Sequence, residues 1–457
     1  MKGVSHMASF SASGTVSVRP FVTVEGQQAP ARDGRWSRLQ VLVVALCFVL
    51  NMLDGMDVLI LSYIAPALSA DWHLAPDQMG TVFSAGLAGM AAGGLLLAPM
   101  ADRFGRRRLI LVSLLVMTAA MFGSVFCHSL WQLLAARFAV GVGIGSVLAS
   151  MAALTAEYAP AHHRAFAVGF LQAGYPVGAT ITGFVVAAHL ATHGWQAMLL
   201  GAAVLCALAL PVVFLLLPES IAFLAARQPK GALAEINRQL AQMGEAPLDA
   251  LPPRRDGAEA PHTGLRGLMA EGRLPGTLLL WAAIIFSFMT LYFVISWIPK
   301  LSIEAGLSPR HGIYAGAIYN IGAFIGTSSV GLVAMRLELR KVILGYMVLA
   351  ALALVAFGSL HMPLALTLLT AFLIGLFVQG GFNGCYPLAT GFYPAEVRSA
   401  GLGWAMGMGR IGAVIGPMLG GYLLTAKVAL PVIFGVFAAP IVVAGLLVVL
   451  IRQPARS

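Results

Sequence analysis

Charged residues are scarce in this sequence. Only 10% of its 457 residues are Asp, Glu, Lys or Arg, whereas 59% are hydrophobic, and the mean hydropathy is +0.87. Soluble domains carry about 25% charged residues. The low charge therefore excludes an ordinary soluble protein and predicts a chain that crosses a membrane several times, with lipid around most of its length.

Patterns that bind metals or perform catalysis are also absent from the sequence. The four cysteines, Cys47, Cys127, Cys206 and Cys385, lie in apolar stretches, which argues against a disulfide framework. The ten histidines have no metal-ligand spacing, and there is no P-loop or catalytic triad motif. We therefore expect no cofactor, no metal and no enzymatic activity.

Long hydrophobic runs are abundant. A membrane-spanning helix needs roughly 20 apolar residues, and twelve such runs can be counted. Spans 1 to 12 cover residues 39–66, 79–100, 108–127, 129–152, 165–188, 195–217, 276–299, 312–335, 341–360, 362–385, 399–424 and 428–451. Residues 1–38 are polar and basic, do not resemble a secretory signal, and are predicted to form a disordered tail.

The lysines and arginines outside the spans lie mostly on one side of the predicted membrane. That side holds both tails, including residues 452–457, the connection between spans 2 and 3, and the long connection 218–275, whereas the other side holds Lys300, Arg310 and Lys427. Basic connections stay in the cytoplasm. The net charge of +10 therefore reflects membrane orientation rather than nucleic-acid binding, and we expect a bacterial inner-membrane protein with both termini cytoplasmic.

The cytoplasmic connection 218–275 divides the spans into two bundles of six, residues 39–217 and 276–451. An internal repeat supports this division, because LTAEYAPAHHRAFAVG (154–169) aligns with LATGFYPAEVRSAGLG (388–403). Both copies connect a fourth span to a fifth within their half. Two related six-helix halves predict an all-α transporter with its cargo site between the halves near mid-membrane.

The connection between spans 2 and 3 reads APMADRFGRRR (98–108). Asp102 can accept bonds from arginines across the cytoplasmic face, although the arginines alone could be a cluster that only orients the chain. The corresponding segment of the second half, GLVAMRLELRK (331–341), has Met335 in place of the aspartate and Glu338 in place of the glycine.

Two arginines lie inside spans. Arg137 in span 4 belongs to LLAARFAVGVGIGS (133–146), and Arg410 in span 11 belongs to GMGRIGAVIGPMLGG (407–421). A buried arginine costs at least ~2.5 kcal/mol at mid-helix, so each should face a cavity or a partner. Arg137 could simply bond to backbone carbonyls. For Arg410 we favour attraction of an anionic cargo, since a guanidinium group binds a carboxylate with two bonds.

Span 1 contains two acids, in NMLDGMDVLILSYIAPAL (51–68). The i, i+3 spacing places Asp54 and Asp57 on one helix face near mid-membrane. Two nearby carboxylates in a low-dielectric environment resist simultaneous ionisation, so at least one is expected to hold a proton. That property suits a proton-coupled carrier, although a static ion pair with Arg137 or Arg410 would also explain the acids.

These motifs together resemble the aromatic acid:proton symporter family of the major facilitator superfamily. The resemblance rests on DGMDVLILSYIAPAL in span 1, DRFGRRR, RFAVGVGIGS, LPESIAFL (217–224) and FYPAEVRSAGLGWAMGMGRIGAVIGP (392–417). It covers the membrane region in both halves but not the tail. The sequence departs from the superfamily pattern at Ala98, where glycine is usual, and in the altered 331–341 segment, which leaves a gating network in both halves in doubt.

The resemblance implies the major facilitator fold, twelve helices in two pseudo-symmetric bundles, and uptake of aromatic carboxylates with protons by a monomer. It implies proton coupling by Asp54, Asp57 and Arg137. We expect gating at the cytoplasmic face by Asp102, Arg103, Arg106, Arg107, Glu157, Arg164 and Arg398. We expect cargo binding by Arg410, Asn383, Gln379, Asn320, Tyr319 and Tyr386.

Three other interpretations stay open. An importer of the same fold could carry a non-aromatic or heteroaromatic acid such as muconate or nicotinate, because a few cavity side chains decide the cargo. Drug efflux is disfavoured, since the GPxxGG motif that antiporters carry in span 5 is found here in span 11, at residues 416–421. A sensor on a transporter fold would be expected to add a signalling domain.

Overall fold

The computed structural model describes residues 36–252, 268–269, 272–360, 362–394 and 397–451. Within these ranges the chain is helical and forms no strand, in agreement with the all-α prediction. Most of the predicted N-terminal tail, part of the predicted connection 218–275 and the C-terminal tail lie outside the described residues. The exact limits predicted for the two bundles stay a prediction.

Long helices account for all twelve predicted spans. Their bounds are Arg38–Asp71, Pro76–Ala92 with short turns that continue to Phe104, Arg106–Val125, Leu130–Tyr158, Arg164–Leu216 for spans 5 and 6 together, Leu274–Glu304, Pro309–Ala334, Leu339–Ser359, Leu364–Phe392, Arg398–Thr425 and Leu430–Leu450. The segment that holds spans 5 and 6 turns at Gly194, where φ is 77°. Glycine adopts a positive φ at little cost, so these two spans are joined without a loop.

Several helices are longer than the hydrophobic runs that predicted them. Span 1 continues to Asp71 instead of ending at residue 66, and span 10 continues to Phe392 instead of residue 385. Hydrophobicity marks only the part of a helix that lies in hydrocarbon. Among the described residues, ten segments are long and apolar enough to cross a membrane. The number is ten rather than twelve because spans 5 and 6 are counted together as Phe166–Leu216, and the glycine-rich span 11 is not included.

The two halves repeat the same helix contacts. Span 1 packs on span 5 as span 7 packs on span 11, and span 2 packs on span 4 as span 8 packs on span 10. A Cβ atom on Gly141 of span 4 would collide with the Gly86 carbonyl of span 2, and one on Gly322 of span 8 would collide with the Phe372 carbonyl of span 10. Small residues let helix backbones touch, so these glycines determine where the helices cross.

In its described residues, the connection between the halves contains two short helices, Ile221–Arg227 and Ala232–Met243. The Ser220 side chain accepts a hydrogen bond from the Phe223 N–H group and so caps the first helix, as serine does at many helix starts. This connection is therefore partly folded against the first bundle rather than a simple loop.

The two ends of the helix bundle differ. We call the end with the connections between spans 2 and 3, 4 and 5, and 6 and 7 the basic face, and the other end the opposite face. The halves bond to each other at the opposite face, where Thr425 Oγ1 donates to Asp77 Oδ1 at 3.0 Å, and deeper, where Ser62 Oγ donates to the Ser296 carbonyl at 2.7 Å. Closer to the basic face the halves enclose a cavity.

The glycine crossings predict a difference between two similar substitutions. Gly141→Ala should destabilise the protein by about 1–3 kcal/mol, because the added methyl group has no room against the span 2 backbone. Gly201→Ala in span 6 is the matched control, since a Cβ there meets no atom within 4 Å. Thermal unfolding in detergent measures both, and equal midpoints for the two variants would contradict the packing described.

Candidate functional site

Asp57 and Arg137 form a buried ion pair between spans 1 and 4. Arg137 Nη1 donates to Asp57 Oδ1 at 3.0 Å and Arg137 Nη2 donates to Oδ2 at 2.7 Å. The two residues are 1% and 3% exposed. The contact of spans 2 and 4 at Gly141 brings span 4 close enough to the centre for this bond. The cost of burying Arg137 is thus offset by a carboxylate rather than by backbone carbonyls alone.

Asp54 has different surroundings, although it lies three residues from Asp57 in the same helix. It is 6% exposed, and its Oδ1 atom has no hydrogen-bond partner among the described residues. Asp54 lines a large cavity between the halves, whereas Asp57 lines a smaller one beside Arg137. The two acids are therefore not equivalent.

The large cavity encloses about 800 Å³ of space between atoms, which includes open solvent at its mouth. Spans 1, 2, 4, 5, 7, 8, 10 and 11 all contribute side chains, from both halves. The polar and aromatic ones are Asn51, Asp54, Gln172, Tyr175, Phe288, Tyr292, Asn320, Thr327, Gln379, Phe382, Asn383, Tyr386 and Arg410.

Arg410 lies in this cavity among aromatic rings. Its Nη1 atom donates to Tyr292 Oη at 3.0 Å, and its guanidinium carbon lies 5.6 Å from the centre of the Phe288 ring. The Phe288 ring packs edge to face on Phe382, with centroids 4.7 Å apart. A guanidinium group has five N–H donors, so the bond to Tyr292 leaves most of them for an anion.

Amide and hydroxyl groups line another part of the same cavity. Asn383 Nδ2 donates to Thr327 Oγ1 at 2.7 Å, and Asn320 Nδ2 donates to the Gly316 carbonyl at 2.9 Å. Gln379 also lines the cavity. Five of the six residues expected to bind cargo are thus brought together here.

The sixth, Tyr319, is fully buried with its backbone carbonyl against Gly375 of span 10, and it is not among the lining residues. Side chains at neighbouring helix positions point about 100° apart, so Tyr319 points away from the cavity that the adjacent Asn320 lines. Its role in binding stays a prediction.

Some residues that line the cavity were not predicted from the sequence; Gln172, Thr327, Phe288 and Phe382 are among them. Helical spacing could have found them. Phe288 and Phe382 each precede by four residues a tyrosine that lines the cavity, and Thr327 follows Asn320 by seven, which returns to the same helix face. Phenylalanine carries no signal of its own in an apolar span.

The expected gating residues lie at the basic face. Three of them, Arg106, Arg107 and Glu157, form one cluster in the first half. Arg106 forms an ion pair with Glu157, and Glu157 accepts a bond from Ser220 Oγ at 2.7 Å. The Arg107 N–H group donates to Glu219 Oε1 at 3.0 Å. Glu219 and Ser220, from the LPES segment, were not among the expected site residues, yet they hold the connection between the halves onto spans 3 and 4.

The remaining gating candidates have separate contacts. The Asp102 carbonyl accepts a bond from Arg227 Nε at 3.0 Å, and Arg103 lies over the Phe104 ring. Arg398 Nε donates weakly to the Tyr393 carbonyl at 3.4 Å. Arg164 begins span 5, and its Nε atom has no hydrogen-bond partner among the described residues. Whether these residues gate transport stays a prediction.

Comparisons with known proteins agree with this architecture. A family model described as Major Facilitator Superfamily matches residues 47–334 and 280–457. A gallate transporter of Pseudomonas putida is 31% identical, and the matched region covers 89% of this chain and 90% of that transporter. The 4-hydroxybenzoate transporter PcaK of Acinetobacter baylyi is 32% identical, and the matched region covers 87% of this chain and 88% of PcaK. The solved structure of the xylose transporter XylE from E. coli, partially occluded and inward open, has a TM-score of 0.69 at 16% identity over 90% of this chain and 97% of its own. The predicted two-bundle fold is confirmed.

The Asp57–Arg137 pair predicts a non-additive pattern of stability. Arg137→Gln should destabilise the protein by about 3–5 kcal/mol, because it leaves the Asp57 carboxylate buried without a counter-charge. The double variant Arg137→Gln, Asp57→Asn should recover part of that loss. Thermal unfolding measures each variant, with Arg103→Gln at an exposed position as the control. Additive losses in the double variant would contradict the pairing.

Proposed function

The chain belongs to the Major Facilitator Superfamily, whose members are membrane transporters and not enzymes, and we propose that it imports aromatic carboxylates together with protons. One observation carries the proposal: a cavity between the halves contains both Arg410 and Asp54, amid aromatic side chains. The arginine can bind a carboxylate, the aspartate can bind a proton, and the rings can hold an aromatic cargo.

The cation and the rings favour an aromatic carboxylate over other cargo. Arg410 already bonds to Tyr292 and packs on Phe288, which fixes the direction of its free N–H groups. A carboxylate can accept two of them in parallel. The ring of the cargo would then pack against Phe382 and Tyr386. The names of the gallate and 4-hydroxybenzoate transporters, which cover most of this chain, support the same class of cargo.

The charges of the cavity suggest why cargo and proton move together. With the cavity empty, the Asp54 carboxylate and Arg410 balance each other. When an anionic cargo binds Arg410 and a proton binds Asp54, the cavity is balanced again. Cargo alone leaves one excess negative charge and a proton alone leaves one excess positive charge, and either is costly in a closed low-dielectric cavity. Only the empty and the fully loaded carrier would therefore close and reopen readily.

Asp57 and Arg137 take a different part in this proposal. Their bidentate bond neutralises both charges in this conformation, and in the proposed cycle the bond persists. We assign the proton to Asp54, whose Oδ1 atom is unpaired among the described residues. Arg137 and Asp57 then support coupling by holding span 1 against span 4, which fixes the position of Asp54 in the cavity.

The positive-inside rule supports the orientation. The basic face would lie in the cytoplasm of a bacterial cell, with both termini there, and the chain would work as a monomer in the inner membrane. The inward proton gradient would then drive uptake. Asp102, Arg103, Arg106, Arg107, Glu157, Arg164 and Arg398 would form the cytoplasmic gate, with Glu219 and Ser220 as additional members.

Replacing each acid separately tests the assignment of the proton. Asp54→Asn resembles a permanently protonated Asp54, so cargo exchange across liposomes should persist while a pH gradient no longer drives accumulation. Asp57→Asn should lose both activities, because Arg137 becomes an unpaired buried cation. Gradient-driven accumulation at the wild-type level in Asp54→Asn would reject Asp54 as the proton site, and the same result in Asp57→Asn would reject its role in coupling.

Arg410→Gln tests the binding of the carboxylate. A hydrogen bond to a charged group contributes about 1.5–3 kcal/mol, so loss of the guanidinium group should raise the KM for an aromatic carboxylate by roughly 10–100-fold. Arg238→Gln in the helix Ala232–Met243 is the control, since its side chain is exposed and lies outside the cavity. Initial uptake rates of radiolabelled 4-hydroxybenzoate provide the measurement, and an unchanged KM in Arg410→Gln would contradict the assignment.

A further inference from the structure

Thr327 of span 8 and Asn383 of span 10 form a hydrogen-bonded pair in the wall of the cavity. Thr327 Oγ1 donates its own proton to the Ala323 carbonyl at 2.9 Å and accepts the Asn383 N–H bond at 2.7 Å. The pair is therefore held in one geometry by bonds to the helix and to each other. Such a fixed pair is suited to distinguishing one chemical group from another.

This pair and Arg410 belong to different walls of the cavity. Span 11, which carries Arg410, packs on spans 7 and 2, whereas span 8, which carries Thr327, packs on spans 5 and 10. Arg410 lies over the ring of Phe288 in span 7, and Phe288 contacts Phe382 of span 10 edge to face. Phe382 directly precedes Asn383. A flat cargo that lies on these rings would have one end at Arg410 and the other end at Thr327 and Asn383.

The bonding capacity of the pair favours a donor. A threonine hydroxyl has one proton and two lone pairs, and an asparagine amide oxygen has two lone pairs. The Thr327 proton is already used, so a lone pair of Thr327 and the amide oxygen of Asn383 are acceptors available to a cargo, and the second N–H of Asn383 remains as a donor. A carboxylate can only accept and would leave both acceptors without a partner, whereas a phenolic O–H group donates to an acceptor and can also accept the N–H bond.

We propose that Thr327 and Asn383 recognise a ring hydroxyl group of the cargo while its carboxylate binds Arg410. The carrier then selects hydroxylated aromatic acids over the unsubstituted acid. This inference rests on the proposed function, because it assumes that an aromatic carboxylate occupies the cavity. Thr327 and Asn383 would determine specificity, and they would leave proton coupling at Asp54 unaffected.

Uptake of two acids that differ only in the hydroxyl group tests the inference. Purified wild-type protein in liposomes should have a KM for benzoate roughly 10-fold or more above that for 4-hydroxybenzoate. Thr327→Val has nearly the same shape without the hydroxyl, and Asn383→Leu removes the amide. Each variant should raise the KM for 4-hydroxybenzoate and leave that for benzoate unchanged, so that the ratio approaches one.

Ser328→Ala provides the matched control. Ser328 follows Thr327 in span 8 and donates to the carbonyl four residues earlier, as Thr327 does, but it is exposed and does not line the cavity. It should keep the wild-type ratio of KM values. Retained benzoate uptake shows that a variant is folded. If Asn383→Leu fails to fold or to enter the membrane, the KM ratio of Thr327→Val alone tests the inference.

The outcomes separate this inference from the proposed function. If wild-type protein carries both acids with equal KM, or if Thr327→Val keeps the wild-type ratio, the inference is overturned while aromatic acid transport stands. Loss of both acids in Thr327→Val also overturns it, because the pair would then serve the structure alone. If wild-type protein carries neither acid, the proposed function itself fails.

Discussion

A charge buried in a medium of low dielectric constant needs a counter-charge, and the arrangement of this protein depends on how two arginines meet that need. Arg137 is paired with Asp57 by two short hydrogen bonds. Arg410 has neutral neighbours, Tyr292 and Phe288, and shares its cavity with Asp54. Breaking the first pair would leave a buried charge without a counter-charge. In the proposed function a proton and an anion rearrange the second set of charges, as a coupled carrier requires.

Glycine crossings position these charges. Spans 2 and 4 touch at Gly86 and Gly141, which lets Arg137 reach span 1, and span 11 touches span 7 through Gly412, where a Cβ would collide with the Ile285 carbonyl. Arg410 of span 11 contacts Tyr292 and Phe288 of the same span 7. Backbone contact leaves helices little freedom to rotate, so the side chains of the cavity keep their directions. The same pairs of spans make these contacts in both halves.

The sequence contained much of this arrangement. Arginines and acids inside apolar runs are costly enough to stand out; both acids and Arg137 proved to be buried, and Arg410 proved to be half-buried in the cavity wall. Arg137 and Arg410 could be named as possible partners of the two acids, but which acid meets which arginine could not be predicted, because i, i+3 spacing only places Asp54 and Asp57 on one helix face. Tyr319 and Thr327 illustrate the same difficulty. In a span that is apolar all round, no periodicity reveals which face is turned to the cavity, and the contact of Glu219 with Arg107 joins segments far apart in the chain.

Proton movement caused by cargo tests the central claim most directly. Liposomes that contain the purified protein and a pH-sensitive dye receive 4-hydroxybenzoate from outside, with no pH gradient imposed, and protein-free liposomes correct for passive entry of the undissociated acid. The account predicts acidification inside the liposomes, faster than in the protein-free control, because each anion enters together with a proton. Alkalinisation inside, as an antiporter would cause, or no change beyond the control would contradict it.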